Sequence, residues 1–193
     1  MEAFSTLDGV AVPFEEPNID TNQICPTRFN RAPYGPTYNR ILFHDRRFNA
    51  DGSEKPEFIL NTPPYRNSAV LVADRNLGCG SSRETAVMAL LAFGIRCVIA
   101  KSFGDIFYNN CLKNGLLPVK LDGSTIDALF ARLQSAPGVR MQVDLPAQTV
   151  RIDGDPEIAF EIDELIKEKL LLGLDDIQLT ERYGGDLAQF EEK

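Results

Sequence analysis

Between residues 68 and 135 the chain alternates short, wholly apolar runs with longer stretches of helical character. Ser68–Ala73 (SAVLVA) and Arg96–Ala100 (RCVIA) are apolar at successive positions, which predicts strands buried on both faces. Leu116–Leu121 (LLPVKL) reads as a third strand. Between them, Ser82–Phe93 is an almost wholly apolar helix closed by Gly94, and Phe103–Asn114 is a helix closed by Gly115. Strand, helix, strand, helix, strand at this spacing predicts parallel pairing with right-handed crossovers. Ser124–Gln134 adds a further amphipathic helix.

The flanks are less regular. Thr6–Phe14 alternates weakly and carries a turn signal at Asp8-Gly9, so a short strand or a hairpin is expected. Pro13 and Pro17 then interrupt the pattern. Ile19–Pro26 is too polar for a core strand, and Pro26 biases Cys25 away from helix; an ordered loop leading to Arg28 and Phe29 is expected. A helical stretch around Thr37–Phe43 follows, with Leu42, Phe43 and Phe48 facing a core. Irregular segments of this length in compact domains are often functional or bound to a partner. Towards the C-terminus, Met141–Leu145, Thr149–Asp153 and Ile158–Ile162 predict an antiparallel meander beside the parallel unit. Asp163–Leu172 predicts a helix ended by Gly173, and Asp175-Asp176 the start of a last short helix. The fold class is α/β: a small parallel sheet with an adjoining antiparallel β meander. One domain is expected over 1–193, with a loop-rich N-terminal region over 1–67, an α/β core over 68–135, and a meander with helices over 136–193.

Composition narrows the function. At 193 residues, 44% hydrophobic and 25% charged, the chain has the make-up of an ordinary globular protein. Its longest apolar run, Ala86–Ile95, is far short of a membrane span, and MEAFSTLDG lacks the pattern of a secretory signal. A cytoplasmic protein with no membrane partner is expected. The net charge of -8, with no Lys/Arg cluster, argues against nucleic acid, so an anionic ligand must be held by local geometry. Cys25, Cys79, Cys97 and Cys111 form no CxxC and fit no ligand set for a metal or iron–sulfur site; reduced thiols and no metal are expected. His44 is the only histidine. The chain is therefore poor in the usual general acids and bases.

The candidate chemistry lies at the turn Asn76–Gly80 and the helix start Ser81-Ser82-Arg83-Glu84. A helix start has free N–H groups and about half a positive charge. Gly78 and Gly80 allow close approach of backbone to a ligand, and Arg83 can grip a carboxylate or phosphate with two nitrogens. The turn also follows the carboxyl end of a predicted parallel strand, where α/β folds place ligands. Against this, Ser81-x-x-Glu84 fits a capping box, which would make Ser81 a helix cap and nothing more. The glycines match neither a dinucleotide fingerprint nor a P-loop.

NLGCGSSRE followed by a buried helix and then VIAKSFGDIFYNNCLKNGLLPV resembles the small subunits of 3-isopropylmalate dehydratase, the swivelling domain of the aconitase superfamily. The resemblance extends to Asp20-Thr21-x-Gln23-Ile24-x-Pro26, Leu42-Phe43-His44-Asp45, Leu60-Asn61, Val143-Asp144-Leu145, Phe160-Glu161-Ile162-Asp163 and Leu172–Ile177, and so covers most of the chain. It implies a three-layer β/β/α swivelling domain and half of an enzyme. A large partner subunit would carry a [4Fe–4S] cluster and most acid/base residues, and this chain, with no cofactor of its own, a substrate-binding wall. The implied reaction isomerises 2-isopropylmalate to 3-isopropylmalate by dehydration and rehydration, in leucine biosynthesis. By the same resemblance Ser81 is the base, and Gly80, Ser82, Arg83 and Arg28 bind substrate.

The sequence departs from the family pattern in four places: Asn22 stands where an Asp is usual, Thr85 where a His or Gln is usual, Arg46 where a Trp is usual, and the loop Asn30–Tyr34, which in relatives helps read the substrate side chain, fits no pattern. These changes retain Ser81 and Arg83 and bear on the substrate. Two alternatives follow: the same chemistry on another branched or methylated 2-hydroxy dicarboxylate, and a carboxylate-binding module without catalysis.

Overall fold

The computed structural model describes residues 1–175, apart from Pro36 and Ser82, together with Gln178. The predicted last helix, opening at Asp175-Asp176, and the tail after it lie outside the described residues but for Asp175 and Gln178.

Seven strands form one mixed sheet: β1 (Thr6–Phe14), β2 (Ser68–Ala73), β3 (Cys97–Ala100), β4 (Leu117–Lys120), β5 (Arg140–Asp144), β6 (Thr149–Ile152) and β7 (Ile158–Ala159), in the spatial order β4-β3-β2-β1-β5-β6-β7. Strands β1 to β4 pair in parallel. The antiparallel meander β5-β6-β7 adjoins them edge to edge through β1. The helices are α1 (Thr21–Ile24), α2 (His44–Arg47), α3 (Glu84–Phe93), α4 (Asp105–Asn114), α5 (Gly123–Ser135) and α6 (Glu164–Leu172).

Both faces of the sheet are covered at its parallel centre, and this is why β2 and β3 read as unbroken apolar runs. Leu71 and Ala73 of β2, Val98 and Ala100 of β3, and Val12 and Phe14 of β1 join one core with α1, α3, Phe107 and Cys111 of α4, and the irregular segment before β2. Their alternates Val70, Val72, Cys97, Ile99 and Ala11 face the other core, built with α5, Phe160 and Leu170. Burial pushes the Cys97 and Cys111 thiols far above their ordinary range.

Three expectations for the N-terminal third are corrected. Asp8-Gly9 is not a turn but the middle of β1, where a Cβ on Gly9 would stand 2.4 Å from that of Ala69 on β2. Glycine here serves close strand approach, next to a register shift between Val10 and Ala11. Ile19–Pro26 contains helix α1, because Asp20 and Gln23 form a capping box: Asp20 Oδ1 accepts from Gln23 N at 2.7 Å, and Gln23 Oε1 accepts from Asp20 N at 3.1 Å. The stretch around Thr37–Phe43 is a 3₁₀ turn over Tyr38–Arg40 that leads into α2.

Two arginines of α2 pin this irregular third. Arg47 is 6% exposed and donates to Asn39 O at 2.8 Å, Leu42 O at 3.3 Å and Asn61 Oδ1 at 3.2 Å. Its guanidinium lies over the rings of Phe48 and, at the end of α3, Phe93. Burial lowers its pKa to about 10, with Glu54 opposing, so it is charged at neutral pH. Arg46, where the family pattern has Trp, lies 5.2 Å from the ring centre of Phe58 and 5.8 Å from that of Phe43. It pairs with Glu16 at 2.5 Å. A flat guanidinium can cover an aromatic pair much as an indole does.

Candidate active site

The turn after β2 is fixed from two sides. Leu77 N donates to Ser102 O at 3.0 Å and Gly104 N to Leu77 O at 2.9 Å, which ties it to the segment following β3. Gly78 N donates to Ile19 O at 2.7 Å and Thr21 N to Cys79 O at 3.1 Å, which ties it to α1. Gly78, at φ +73°, sits on the fully buried ring of Phe107, where a Cβ would stand 2.1 Å from Cγ. Its freedom therefore serves packing on α4 from below. Gly80 has φ +92° and open space, its nearest neighbour being Thr21 Oγ1 at 4.0 Å.

Helix α3 begins at Glu84, two residues later than expected. Arg83 is its N-cap, with extended backbone and no side-chain cap hydrogen bond. The capping-box reading of Ser81 is thereby overturned: Ser81 lies ahead of the helix, exposed, with no side-chain hydrogen bond among the described residues. Arg83 is likewise exposed, and no ion pair or hydrogen bond of its guanidinium is present among the described residues. Ser82 lies outside the described residues.

Ser81 and Arg83 line one cleft of 110 Å³ with Thr21, Asn22, Cys25, Thr27, Asn30, Thr85 and Ala86. The opposite wall comes from α1 and the turn after it. Thr27 Oγ1 donates to Asn22 Oδ1 at 2.6 Å, and Thr85 Oγ1 donates to Asn30 Oδ1 at 2.9 Å. The second of these bonds links the first turn of α3 to the loop after Arg28. Burial raises the pKa of the Cys25 thiol, and the Thr85 hydroxyl partly offsets this, so Cys25 serves as a neutral floor. The departures at Asn22 and Thr85 thus meet in the same cleft.

Arg28 is placed otherwise. It does not line the cleft; both of its terminal nitrogens donate to the Asp45 carboxylate, and its guanidinium lies 4.6 Å from the ring centre of Phe29. This hydrogen-bonded pairing raises the Arg28 pKa and lowers that of Asp45. His44 Nδ1 donates to Arg40 O at 2.9 Å, and the ring packs on Phe29 and Phe48. A larger groove of 490 Å³ lies between α5 and the β6–β7 turn, but its lining is mostly apolar apart from Ser124, Thr125 and the Arg132–Asp155 ion pair and holds none of these residues. Of the two, only the smaller cleft gathers Ser81 and Arg83.

The sequence reading missed the α1 wall. Its signal was present in the Asp20-x-x-Gln23 spacing, which fixes α1 beside the turn. No signal in the sequence paired Thr85 with Asn30, 55 residues apart. Among the described residues no group of three His, Cys, Asp or Glu side chains could hold a metal ion, and no helix is long and apolar enough to cross a membrane.

Comparison with known proteins places these features in a family. Residues 1–124 match the model for the aconitase C-terminal domain, and residues 127–164 match LeuD_N. A 3-isopropylmalate dehydratase small subunit from Rhodopseudomonas palustris (strain HaA2) is 46% identical over 193 residues, covering 100% of this chain and 96% of the relative. One from Gluconacetobacter diazotrophicus is 49% identical over 191 residues, covering 99% and 92%. The crystal structure of a 3-isopropylmalate dehydratase (leuD) from Methanocaldococcus jannaschii superposes with a TM-score of 0.65 at 26% identity, covering 97% of this chain and 99% of that one.

Proposed function

This chain belongs to the family of 3-isopropylmalate dehydratase small subunits, and from that premise we propose that it is the small subunit of a hydro-lyase converting 2-isopropylmalate to 3-isopropylmalate in leucine biosynthesis. One observation carries the reading to the site. Ser81 and Arg83, both exposed and both without partners among the described residues, share a cleft of 110 Å³. Pockets that enclose small ligands are typically about 300–1,000 Å³. The cleft is one wall of a site, and a second protein surface completes it.

In this reading the Ser81 hydroxyl oxygen, as its alkoxide, takes the proton from one carbon of the substrate. The hydroxyl leaves the neighbouring carbon, and an alkene forms. Water then adds in the opposite sense, returning the proton to the carbon that lost the hydroxyl. A serine hydroxyl is too weak an acid to ionise unaided at neutral pH, so a positive charge beside it is required. Arg83 lines the same cleft and supplies it, while its planar fork holds a substrate carboxylate. Ser82 takes part in the same carboxylate contact by resemblance. Arg28 can serve as a second carboxylate arginine only by exchanging Asp45 for the substrate.

Three of the four cysteines are closed to a cluster, Cys97 and Cys111 being fully buried among apolar side chains and Cys25 lying beneath the cleft, which leaves Cys79 alone. By resemblance to the family we assign a [4Fe–4S] cluster to a large partner subunit, where it would act as the Lewis acid for the departing hydroxyl. The second reading keeps the reaction and changes the substrate to another branched or methylated 2-hydroxy dicarboxylate. It is favoured by the neutral Asn22 and Thr85 side chains in the cleft.

Steady-state kinetics of the reconstituted complex on a panel of 2-hydroxy dicarboxylates separates the two. A preference for isopropylmalate supports the first, a preference for another acid the second, and binding without turnover would leave only a carboxylate-binding module. In the same assay Arg83→Lys is expected to raise KM about tenfold, because an ammonium cannot form the planar fork. Unchanged kinetics would remove Arg83 from the site.

A further inference from the structure

Three threonines line the cleft, and two of them have engaged hydroxyls: Thr27 Oγ1 donates to Asn22 Oδ1 and Thr85 Oγ1 to Asn30 Oδ1. Thr21 is the exception. It is 6% exposed, yet its hydroxyl makes no hydrogen bond among the described residues. A polar side chain buried this far is ordinarily paired. Its position is fixed: Thr21 N donates to Cys79 O at 3.1 Å, Thr21 O accepts from Cys25 N at 2.8 Å, and the Asp20–Gln23 capping box closes α1 around it. Thr21 Oγ1 lies against Gly80, where an added Cβ would find this oxygen as its nearest neighbour, at 4.0 Å. A free hydroxyl and a bare stretch of backbone therefore border the same empty space, in the cleft that Ser81 and Arg83 also line.

We propose that Thr21 is a substrate-binding residue, its hydroxyl donating to an oxygen of the carboxylate that Arg83 grips. This rests on the function proposed above and adds a residue that the resemblance did not single out for binding. A carboxylate offers about four lone-pair sites, of which an arginine fork takes two, so acceptor capacity is left for a hydroxyl. No Asp or Glu lines the cleft to compete for that donor. A neutral donor also serves a buried floor better than a second cation, whose burial without a partner is costly. The absent side chain at Gly80 has a purpose in the same arrangement: it leaves the room in front of Thr21 Oγ1 that the carboxylate oxygen fills.

Within the chain the hydroxyl holds nothing, so the fold should not miss it. Thr21→Val replaces it by a methyl group of similar shape, and Thr21→Ser keeps it while removing the methyl. The melting temperature of the Thr21→Val small subunit should not fall, since no hydrogen bond inside the chain is lost. In the reconstituted complex Thr21→Val is expected to raise KM about 10- to 100-fold, the range for losing a hydrogen bond to a charged group, with kcat within about threefold of wild type. Thr21→Ser should keep KM within about threefold. Malonate, a bare dicarboxylate, is the probe for calorimetry on the same complexes, whichever acid they turn over. Malonate binding weakened in Thr21→Val and retained in Thr21→Ser supports the proposal. Unchanged KM and malonate affinity in Thr21→Val, equal losses in the two variants, a lowered melting temperature in Thr21→Val, or no malonate binding by the wild-type complex would each overturn it. Failure of the wild-type complex to turn over isopropylmalate would instead count against the proposed function, with the malonate comparison still judging Thr21.

Discussion

Ser81→Ala should reduce turnover by the assembled complex about 10³-fold or more, the scale expected when a group acting at the reacting atoms is removed. Stability should be left unchanged. Losing a serine N-cap would cost about 1 kcal/mol, but Ser81 caps nothing: α3 starts at Glu84, its N-cap is Arg83, and no side chain closes it. The hydroxyl is exposed and makes no bond within the described residues, so its loss exposes no buried donor or acceptor. Thermal melting of the small subunit together with turnover by the complex gives a clear division. Lost turnover at constant melting temperature marks a reacting group. A lowered melting temperature with retained turnover would return Ser81 to the role of a cap, and with it would go the assignment of the base.

Gly78→Ala should act the other way, through the fold. Its Cβ would fall 2.1 Å from Cγ and 2.3 Å from Cδ1 of Phe107, a ring with no exposure and no room to retreat. The backbone is left-handed at φ +73°, which costs an L-residue about 1–2 kcal/mol, and overpacking adds about 1–3 kcal/mol. For a chain of this length each kcal/mol lowers the melting temperature by about 2–4 °C, so a fall of roughly 4–20 °C is expected. Turnover should fall as well, since the Gly78 N–H to Ile19 and the turn beyond it set where Ser81 stands. Gly80→Ala is the control for the melting temperature alone, having strained backbone but open space. A Gly78→Ala protein as stable as wild type would mean that the turn can lift off α4, and that the cleft is less fixed than described.

What could be read in the sequence followed from burial. SAVLVA and CVIA were legible because both faces of those strands are covered, and the helices between them because Gly94 and Gly115 end them cleanly. The start of α3 was misread because Ser81-x-x-Glu84 satisfies the spacing of a capping box, whereas the chain stays extended through Arg83. Asp8-Gly9 has the composition of a turn, but Gly9 answers to Ala69 on the neighbouring strand, a contact that no local window contains. Within the site, Ser81 and Arg83 are neighbours in sequence and were found. Asn30 reaches Thr85 across 55 residues, and Arg28 is taken up by Asp45 17 residues on. Such pairings depend on the packing of α1 and α2 against the sheet, and periodicity carries no trace of them.

The central claim is that this chain is one wall of a shared active site. It is tested most directly by assaying 2-isopropylmalate with the purified 193-residue chain, with a large subunit carrying the proposed cluster, and with the two combined. Turnover should occur in the combined sample alone, and the separate chains should be inactive whether or not iron is supplied. Turnover by the 193-residue chain by itself would contradict the account, as would a combined sample that assembles with its cluster intact and leaves every 2-hydroxy dicarboxylate unchanged.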